Sequence, residues 1–430
     1  MLTVPLADLP ADFRVRALQW AGAFSHCAYF EHNDLLKSAP SAFARMLAVA
    51  TTTPVAPASL AELTAQTVAD GLQSPPRCGF ITYDVKNEVE NLESANFSGL
   101  GWPALHFFTP EIWLCWEADS VLFYGEIHGV LAAILATELP AAPPPAVPPL
   151  RPRMSRPDYL QTVEQVREDI LNGEVYELTL CQEFYAENVL LDPVATFWRL
   201  NEASPAPFAG FFRHHDHYLL CASPELFLAH TEDVITSQPI KGTRRRGTAP
   251  ADDEAQRLSL LHDDKERAEN LMIVDLVRND LARIARTGTV RVPELFGTYA
   301  FRQVWQLIST VEAELRPGLN LGNILRATFP MGSMTGAPKI RAMQLIEQYE
   351  RTRRGLFSGS IGYVLPGGNF TFNVVIRSLQ YRADTGYLSL QTGSAITFDS
   401  VPEEEYAECL LKAQGALTTL QTSIDTGSCP

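Results

Sequence analysis

Between residues 139 and 149 the chain carries six prolines in eleven positions, and this tract limits its folding more than any other stretch. Each proline fixes φ and lacks an amide, so the tract can hold neither a helix nor a sheet ladder. We expect an extended connector over 139–153, an N-terminal region over 1–138 and a larger region over 154–430. In the first region the pattern predicts a helix over 35–50 and strands over 79–83, 113–116 and 121–124. None of these segments offers a catalytic constellation by itself.

The larger region opens with a helix signal. Ser155 is placed to cap, Pro157 falls in the first turn, Tyr159, Val163, Val166 and Ile170 recur at helical spacing, and Gly173 ends the run. Residues 175–182 alternate like a strand, and 208–212 with 218–221 read as a hairpin. Its turn, Arg213-His214-His215-Asp216-His217, holds three histidines around an aspartate. Adjacent turn residues point in diverging directions, so we read a turn there and not a metal site.

A second hairpin is expected from the apolar stretches 226–228 and 234–235 about the polar centre Thr231-Glu232-Asp233. It would bring Glu225 and Lys241 nearly opposite each other, at cross-strand distance. A lysine beside proline and glycine at a strand end can serve as an amine nucleophile if burial lowers its pKa, and a nearby glutamate can supply a proton. The alternative is an ion pair on a strand surface.

Residues 264–276 look helical, which puts Glu266 and Glu269 on one face; Ser400-Val401-Pro402-Glu403 resembles a capping box opening a helix with Glu405, Glu408 and Lys412 along one side. Two such carboxylate pairs could hold Mg²⁺, or could merely complement helix dipoles. The run 328–339, which includes Ser333, precedes a helix but lacks the spacing of a phosphate loop; its free amides still suit a carboxylate. Arg377 sits in an apparently apolar strand and needs either a protein acid or a substrate carboxylate.

A formal net charge of −16 argues against nucleic acid and anionic membrane surfaces as partners. The first residues show no charged start before an apolar core, and no apolar run is long enough to span a bilayer, so a cytoplasmic protein is expected. Seven cysteines without a C-x-x-C pair read as reduced, mostly buried thiols.

Taken in order, residues 239–247, 265–280, 329–339, 353–363, 374–378 and 399–412 resemble the chorismate-utilising enzymes, which include the component I subunits of anthranilate and aminodeoxychorismate synthases and the isochorismate and salicylate synthases. A weaker likeness covers 79–91. The resemblance implies an α+β fold, a large α/β sandwich of stacked antiparallel sheets flanked by helices, with both sequence halves contributing. Lysine in Pro239-Ile240-Lys241-Gly242-Thr243 points to the aminodeoxychorismate branch, since the others usually have alanine there; the isochorismate and salicylate formers place a base lysine where this chain has Glu177.

The resemblance further implies Mg²⁺ held by Glu269 and Glu408, with Glu266 and Glu405 acting through water, on the ring carboxylate of chorismate. Arg377 would take the enolpyruvyl carboxylate, and Ser333, Thr243, Gly393, Ser394, Ala395 and Lys412 would complete the substrate site. Neutral Lys241 would attack ring carbon two while Glu225 protonates the departing hydroxyl; ammonia would then add at carbon four and expel the lysine. The chain has no Gly-x-Cys-x-Gly elbow, so a separate glutamine amidotransferase subunit is the implied ammonia source.

Gln306, Phe357, Ala395 and Glu177 depart from residues common in the family, which bears on pocket detail more than on reaction class. The competing readings are an anthranilate synthase component I and a non-catalytic chorismate-binding regulatory subunit.

Overall fold

The computed structural model describes residues 1–35, 42–52, 57–65, 75–139, 146–302 and 304–425. Within them lie a twelve-stranded and a nine-stranded sheet, and every pairing between named strands is antiparallel. Strands from both sides of the proline tract enter each sheet. In the larger, His26–Glu31 pairs with Phe208–His214, and in the smaller, Arg77–Ile81 pairs with Ser360–Val364. The tract is thus a break in composition across which strand pairing continues, with residues 140–145 outside the described set.

The two sheets face each other across a layer that includes Phe30, Phe80, Phe212 and Ile361. A Cβ added at Gly210 would lie 2.6 Å from Ile361 Cδ1, so bare backbone is needed where the sheets come closest. Helices cover the outer faces. Phe13–Ala21, Pro193–Ala203 and Pro402–Leu420 pack on the larger sheet, and Asp264–Ala282 with Leu321–Thr328 pack on the smaller. Arg156–Leu171 and Lys339–Tyr349 complete a third apolar cluster on the strand Glu177–Ala186. Many strands are therefore buried on both faces, and such strands lose the alternation that identifies a strand in sequence. No described helix is long and apolar enough to cross a membrane.

Most expected elements form. Ser155 accepts a hydrogen bond from the Asp158 amide at the start of Arg156–Leu171. The hairpin Leu226–Thr231/Val234–Gln238 turns through Glu232 and Asp233, with φ 58° at Glu232. The expected helix over 35–50 does not hold in its described part. Met46–Ala50 is a strand, wholly buried, while 36–41 lie outside the described residues. A short apolar run satisfies either period, and here burial on both faces decides for the strand.

One buried charge ties these layers together. Arg354 is 1% exposed and forks onto Glu350, Nε to Oε2 at 3.0 Å and an amino group to Oε1 at 2.6 Å. It also donates to the carbonyls of Met334 (2.6 Å) and Thr179 (2.9 Å), and its guanidinium lies 4.4 Å from the ring centre of Tyr83. Glu350 Oε1 accepts from the Cys181 amide at 2.9 Å. The pair thus joins the strand Glu177–Ala186, the turn Gly332–Met334 and an N-terminal segment. Arg354→Met leaves Glu350 buried without its cation and should destabilise the chain by about 3–5 kcal/mol. Urea unfolding at constant m checks this; a variant within about 1 kcal/mol of the parent would show that the pair matters little.

Candidate active site

The strand Val234–Gln238 and the strand Ile240–Arg245 run along the same neighbour, Val304–Glu314, and are separated at Pro239, which has no amide to donate. Glu225 and Lys241 are therefore not the cross-strand neighbours expected from the hairpin. Leu226 already faces Gln238, and Lys241 lies beyond the break. Gly242, at φ 97°, follows directly. A Cβ there would stand 3.2 Å from Glu266 Oε2 and from Leu307 Cβ, so glycine permits both the turn and the close approach of the helix Asp264–Ala282.

Lys241 Nζ donates to Glu177 Oε1 at 2.6 Å, with side-chain exposures of 11% and 0%. Burial alone would depress the lysine. Glu177 foremost, with Glu269 and Glu408, more than offsets burial and holds the pKa above the ordinary lysine value. The expectation was a neutral amine; here three glutamates surround a group that desolvation alone would discharge, and they favour its charged form.

Glu225 is buried, 4% exposed. Burial raises its pKa from 4.5 to about 7, against smaller opposing effects of a hydrogen bond from Ser333, the charge of Lys241, the Ile240 amide and Arg377. Glu225, Ser333, Pro239 and Val374 line one cavity. Arg377 does not lie in a strand. It sits between Phe370–Asn373 and Ser378–Arg382 with φ 51°, a conformation costly for a side chain of this size. Its guanidinium makes no hydrogen bond or ion pair with the described residues; burial lowers its pKa and Glu225 partly restores it. A strained, half-buried, unpaired guanidinium suits an anionic ligand.

The two carboxylate helices meet through Glu408, which acts on Glu266 and, with Glu269, on Lys241. Glu266 and Glu269 lie on Asp264–Ala282, and Glu405 and Glu408 on Pro402–Leu420. Burial raises Glu269 to about 7, with Lys241 opposing and Glu177 and Glu266 adding to it. Burial also raises Glu266, Arg244 opposing and Glu408 adding. Burial would raise Glu408, but Lys412 at 2.7 Å, with Lys241 and Lys265, lowers it overall. Glu405 is 4% exposed; one oxygen accepts from Ser400 at 2.7 Å and the other has no hydrogen-bond partner among the described residues. Ser400 forms no capping box: Val401 occupies the cap position and Ser400 serves Glu405 instead. Crowded, mutually repelling carboxylates with an orphaned oxygen fit a hard divalent cation in charge and donor type. Among the described residues these glutamates do not form a closed group with three ligand atoms within 4.8 Å of one another.

The remaining candidates divide. Lys412 Nζ donates to the Gly393 carbonyl at 2.8 Å, which joins the metal-side helix to the strand Tyr387–Ile396. Gly393 and Ala395 pair with Cys181 and Thr179, on the strand that carries Glu177. Ser394 does not offer its hydroxyl to this group; it lies 3.3 Å from the Tyr159 hydroxyl, on the helix-covered side. Thr243 is exposed, opposite Gln306. Two contributors were missed in sequence. Asn270 accepts from Ser309 at 2.6 Å and donates to the Leu307 carbonyl at 3.3 Å, locking the helix of Glu266 and Glu269 to the sheet. Its only signal was a polar residue among the buried positions of that helix. Glu177 was noted as a departure, but its role as the partner of Lys241 was not.

The sequence pattern of the chorismate binding enzymes matches residues 19–418. The chain belongs to the chorismate-binding enzymes. It is 32% identical over 363 residues to "Aminodeoxychorismate synthase component 1" of Bacillus subtilis (strain 168), covering 80% of this chain and 77% of that protein. It is 41% identical over 268 residues to the component 1 of the same name from Escherichia coli (strain K12), covering 62% and 58%. "Anthranilate synthase component 1" of Methanothermobacter thermautotrophicus (strain ATCC 29096 / DSM 1053 / JCM 10044 / NBRC 100330 / Delta H) is 40% identical over 273 residues, covering 63% and 58%. The crystal structure of anthranilate synthase component I from Streptococcus pneumoniae TIGR4 superposes with a TM-score of 0.75 at 27% identity, over 89% of this chain and 94% of that one. The stacked antiparallel sheets with flanking helices are thus the anthranilate synthase component I-like fold of this chorismate-binding family.

Because Glu225 holds its proton to about pH 7 when folded but is an ordinary glutamate when unfolded, its contribution to stability is fully present below about pH 4.5 and is lost as pH rises through about 7. The unfolding free energy of Glu225→Gln, measured against the parent by urea titration from pH 4 to 8, should therefore gain on the parent across that window. A constant difference would contradict the raised pKa.

Proposed function

We propose that this chain is component I of an aminodeoxychorismate synthase, which uses chorismate and ammonia to form 4-amino-4-deoxychorismate for 4-aminobenzoate and folate synthesis. The observation that carries the reading is Lys241, an amine buried beside Glu177, Glu269 and Glu408 in the motif Pro239-Ile240-Lys241-Gly242-Thr243. A nucleophilic role for such a lysine requires its proton to leave first, and Glu177, at 2.6 Å, is close enough to receive it. The free amine then forms a bond to ring carbon two as the carbon-four hydroxyl departs, taking the proton that Glu225 holds near neutral pH. Ammonia displaces the lysine nitrogen by attack at carbon four, and the amine is restored. One difficult displacement becomes two easier ones.

Arg377 binds a carboxylate of the substrate, and Ser333 keeps the Glu225 carboxyl in place. Glu269 and Glu408, assisted by Glu266 and Glu405, would hold Mg²⁺, which when bound supplies the positive charge that a substrate carboxylate needs beside so many glutamates. The ammonia source is a separate glutamine amidotransferase subunit. All six described cysteines are free thiols, which suits the reducing cytoplasm.

The 40% identity to an anthranilate synthase component keeps one second reading, in which the same site forms anthranilate and pyruvate is lost. Incubation of the chain with chorismate, Mg²⁺ and an ammonium salt separates the two. Retention of the enolpyruvyl group by mass, and release of 4-aminobenzoate by an added lyase, support the proposal; a fluorescent, pyruvate-free product overturns it. Lys241→Ala should abolish aminodeoxychorismate formation, and an unchanged rate would remove the covalent step. Glu225→Gln should lower kcat by about 10²–10⁴-fold if it is the proton donor.

A further inference from the structure

Folding gives the histidine-rich turn neighbours that its sequence did not foretell. His214, the last residue of the strand Phe208–His214, pairs directly with His26, the first of His26–Glu31. Paired residues on adjacent strands project to the same face. From the other sheet comes His106, on Leu105–Phe108, its ring centre 5.1 Å from that of His26 and 4.3 Å from that of His214. His215, at φ 53° in the turn, places its ring 4.8 Å from each of His26 and His214. Ligand nitrogens of His26, His214 and His215 lie within 4.8 Å of one another. His217 is not part of the group, since its Nε2 is bonded to the Leu100 carbonyl at 2.8 Å.

The lone pairs are the second observation. His26 Nδ1, His106 Nε2 and His214 Nδ1 are buried with no hydrogen-bond partner among the described residues. His26 is 2% exposed and His106 7%. A histidine kept only for packing gains nothing from a buried nitrogen left without a partner, and three together on facing strands are a repeated loss. Burial, reinforced by the neighbouring histidines, drives His26 and His106 to about 4 and His214 to about 3. Burial thus favours the neutral form of these three rings, the form in which imidazole binds a metal.

We propose that His26, His214 and His215 bind one late first-row divalent ion, zinc foremost, at a site separate from the glutamates, with the His106 ring packed beside them from the other sheet. An all-imidazole donor set selects zinc, cobalt, nickel or copper over magnesium, whereas the glutamates select the reverse. Tetrahedral zinc, with nitrogens about 2.0–2.1 Å away, sets them about 3.3 Å apart, so the rings must close by roughly 1.5 Å or less. His215 is exposed and gives the ion a way in. Arg213, the nearest cation, is engaged by the carbonyls of Gly22 and His215, and Glu111 acts on His26 from the acidic side.

The full chain, freed of metal by chelation, is titrated with Zn²⁺ by calorimetry and with Co²⁺ by visible absorption. One ion per chain, intense tetrahedral Co²⁺ bands and a higher Tm with Zn²⁺ are expected. Affinity should fall at least tenfold in His26→Asn/His214→Asn and stay unchanged in Glu269→Gln/Glu408→Gln. Failure of the parent to bind stoichiometrically, or equal binding by the histidine variant, overturns the site; so does loss confined to the glutamate variant. Should the histidine variant not fold, ring ¹⁵N spectra of the parent decide: Zn²⁺ must move the signals of several histidines, and unmoved signals reject the proposal.

Discussion

A guanidinium with almost no exposure, Arg354, is the constraint from which the active region hangs. Taking such a charge out of water is costly, and the cost is met only because both oxygens of Glu350, two backbone carbonyls and the Tyr83 ring converge on it. Those partners belong to elements that present the chemistry. Thr179 and Cys181 share a strand with Glu177, and Met334 adjoins Ser333, which bonds Glu225. The carboxylate that touches Lys241 and the carboxyl of Glu225 are thus referenced to the same buried cation. Tyr83 brings the N-terminal segment into this arrangement, a physical reason for a strand so early in the chain to enter the smaller sheet.

The site itself is a problem in charge balance. Glu177, Glu269 and Glu408 act on Lys241, while Glu266 acts on Glu269 and Glu408 on Glu266. Burial pushes Glu269 towards holding a proton, and the same crowd of carboxylates favours the charged form of Lys241. A cation beside the glutamates would relieve both tendencies at once, making Glu269 easier to ionise and weakening the hold on the lysine proton. Arg377 stands apart as a positive group with no partner among the described residues, strained at φ 51°. Glu225, an acid raised towards neutrality, and Arg377 act on each other through space, so an acid and an unused cation stand near one another.

Much of this was legible in the chain. The turn at Glu232-Asp233, the capped helix after Ser155 and the helix bearing Glu266 and Glu269 followed from local pattern, because each is governed by residues a few positions apart. The departures have equally local causes. The strand Met46–Ala50 was misread because an apolar run buried on both faces has no period, and Ser400 was misread because a helix start shifted by one residue converts a cap into a carboxylate partner. Lys241 was placed opposite Glu225 by counting along a hairpin, and Pro239 breaks that count.

The sequence by itself determined the family resemblance, the antiparallel sandwich it implies, the lysine in its motif and the two helical pairs of glutamates. These are properties of residue type and short spacing. Only the tertiary structure decided that Lys241 meets Glu177, that Ser394 turns towards Tyr159, and that four histidines from both sheets share one space. A pKa and a coordination shell depend on what approaches through space, and the groups that set them here lie tens of residues away along the chain.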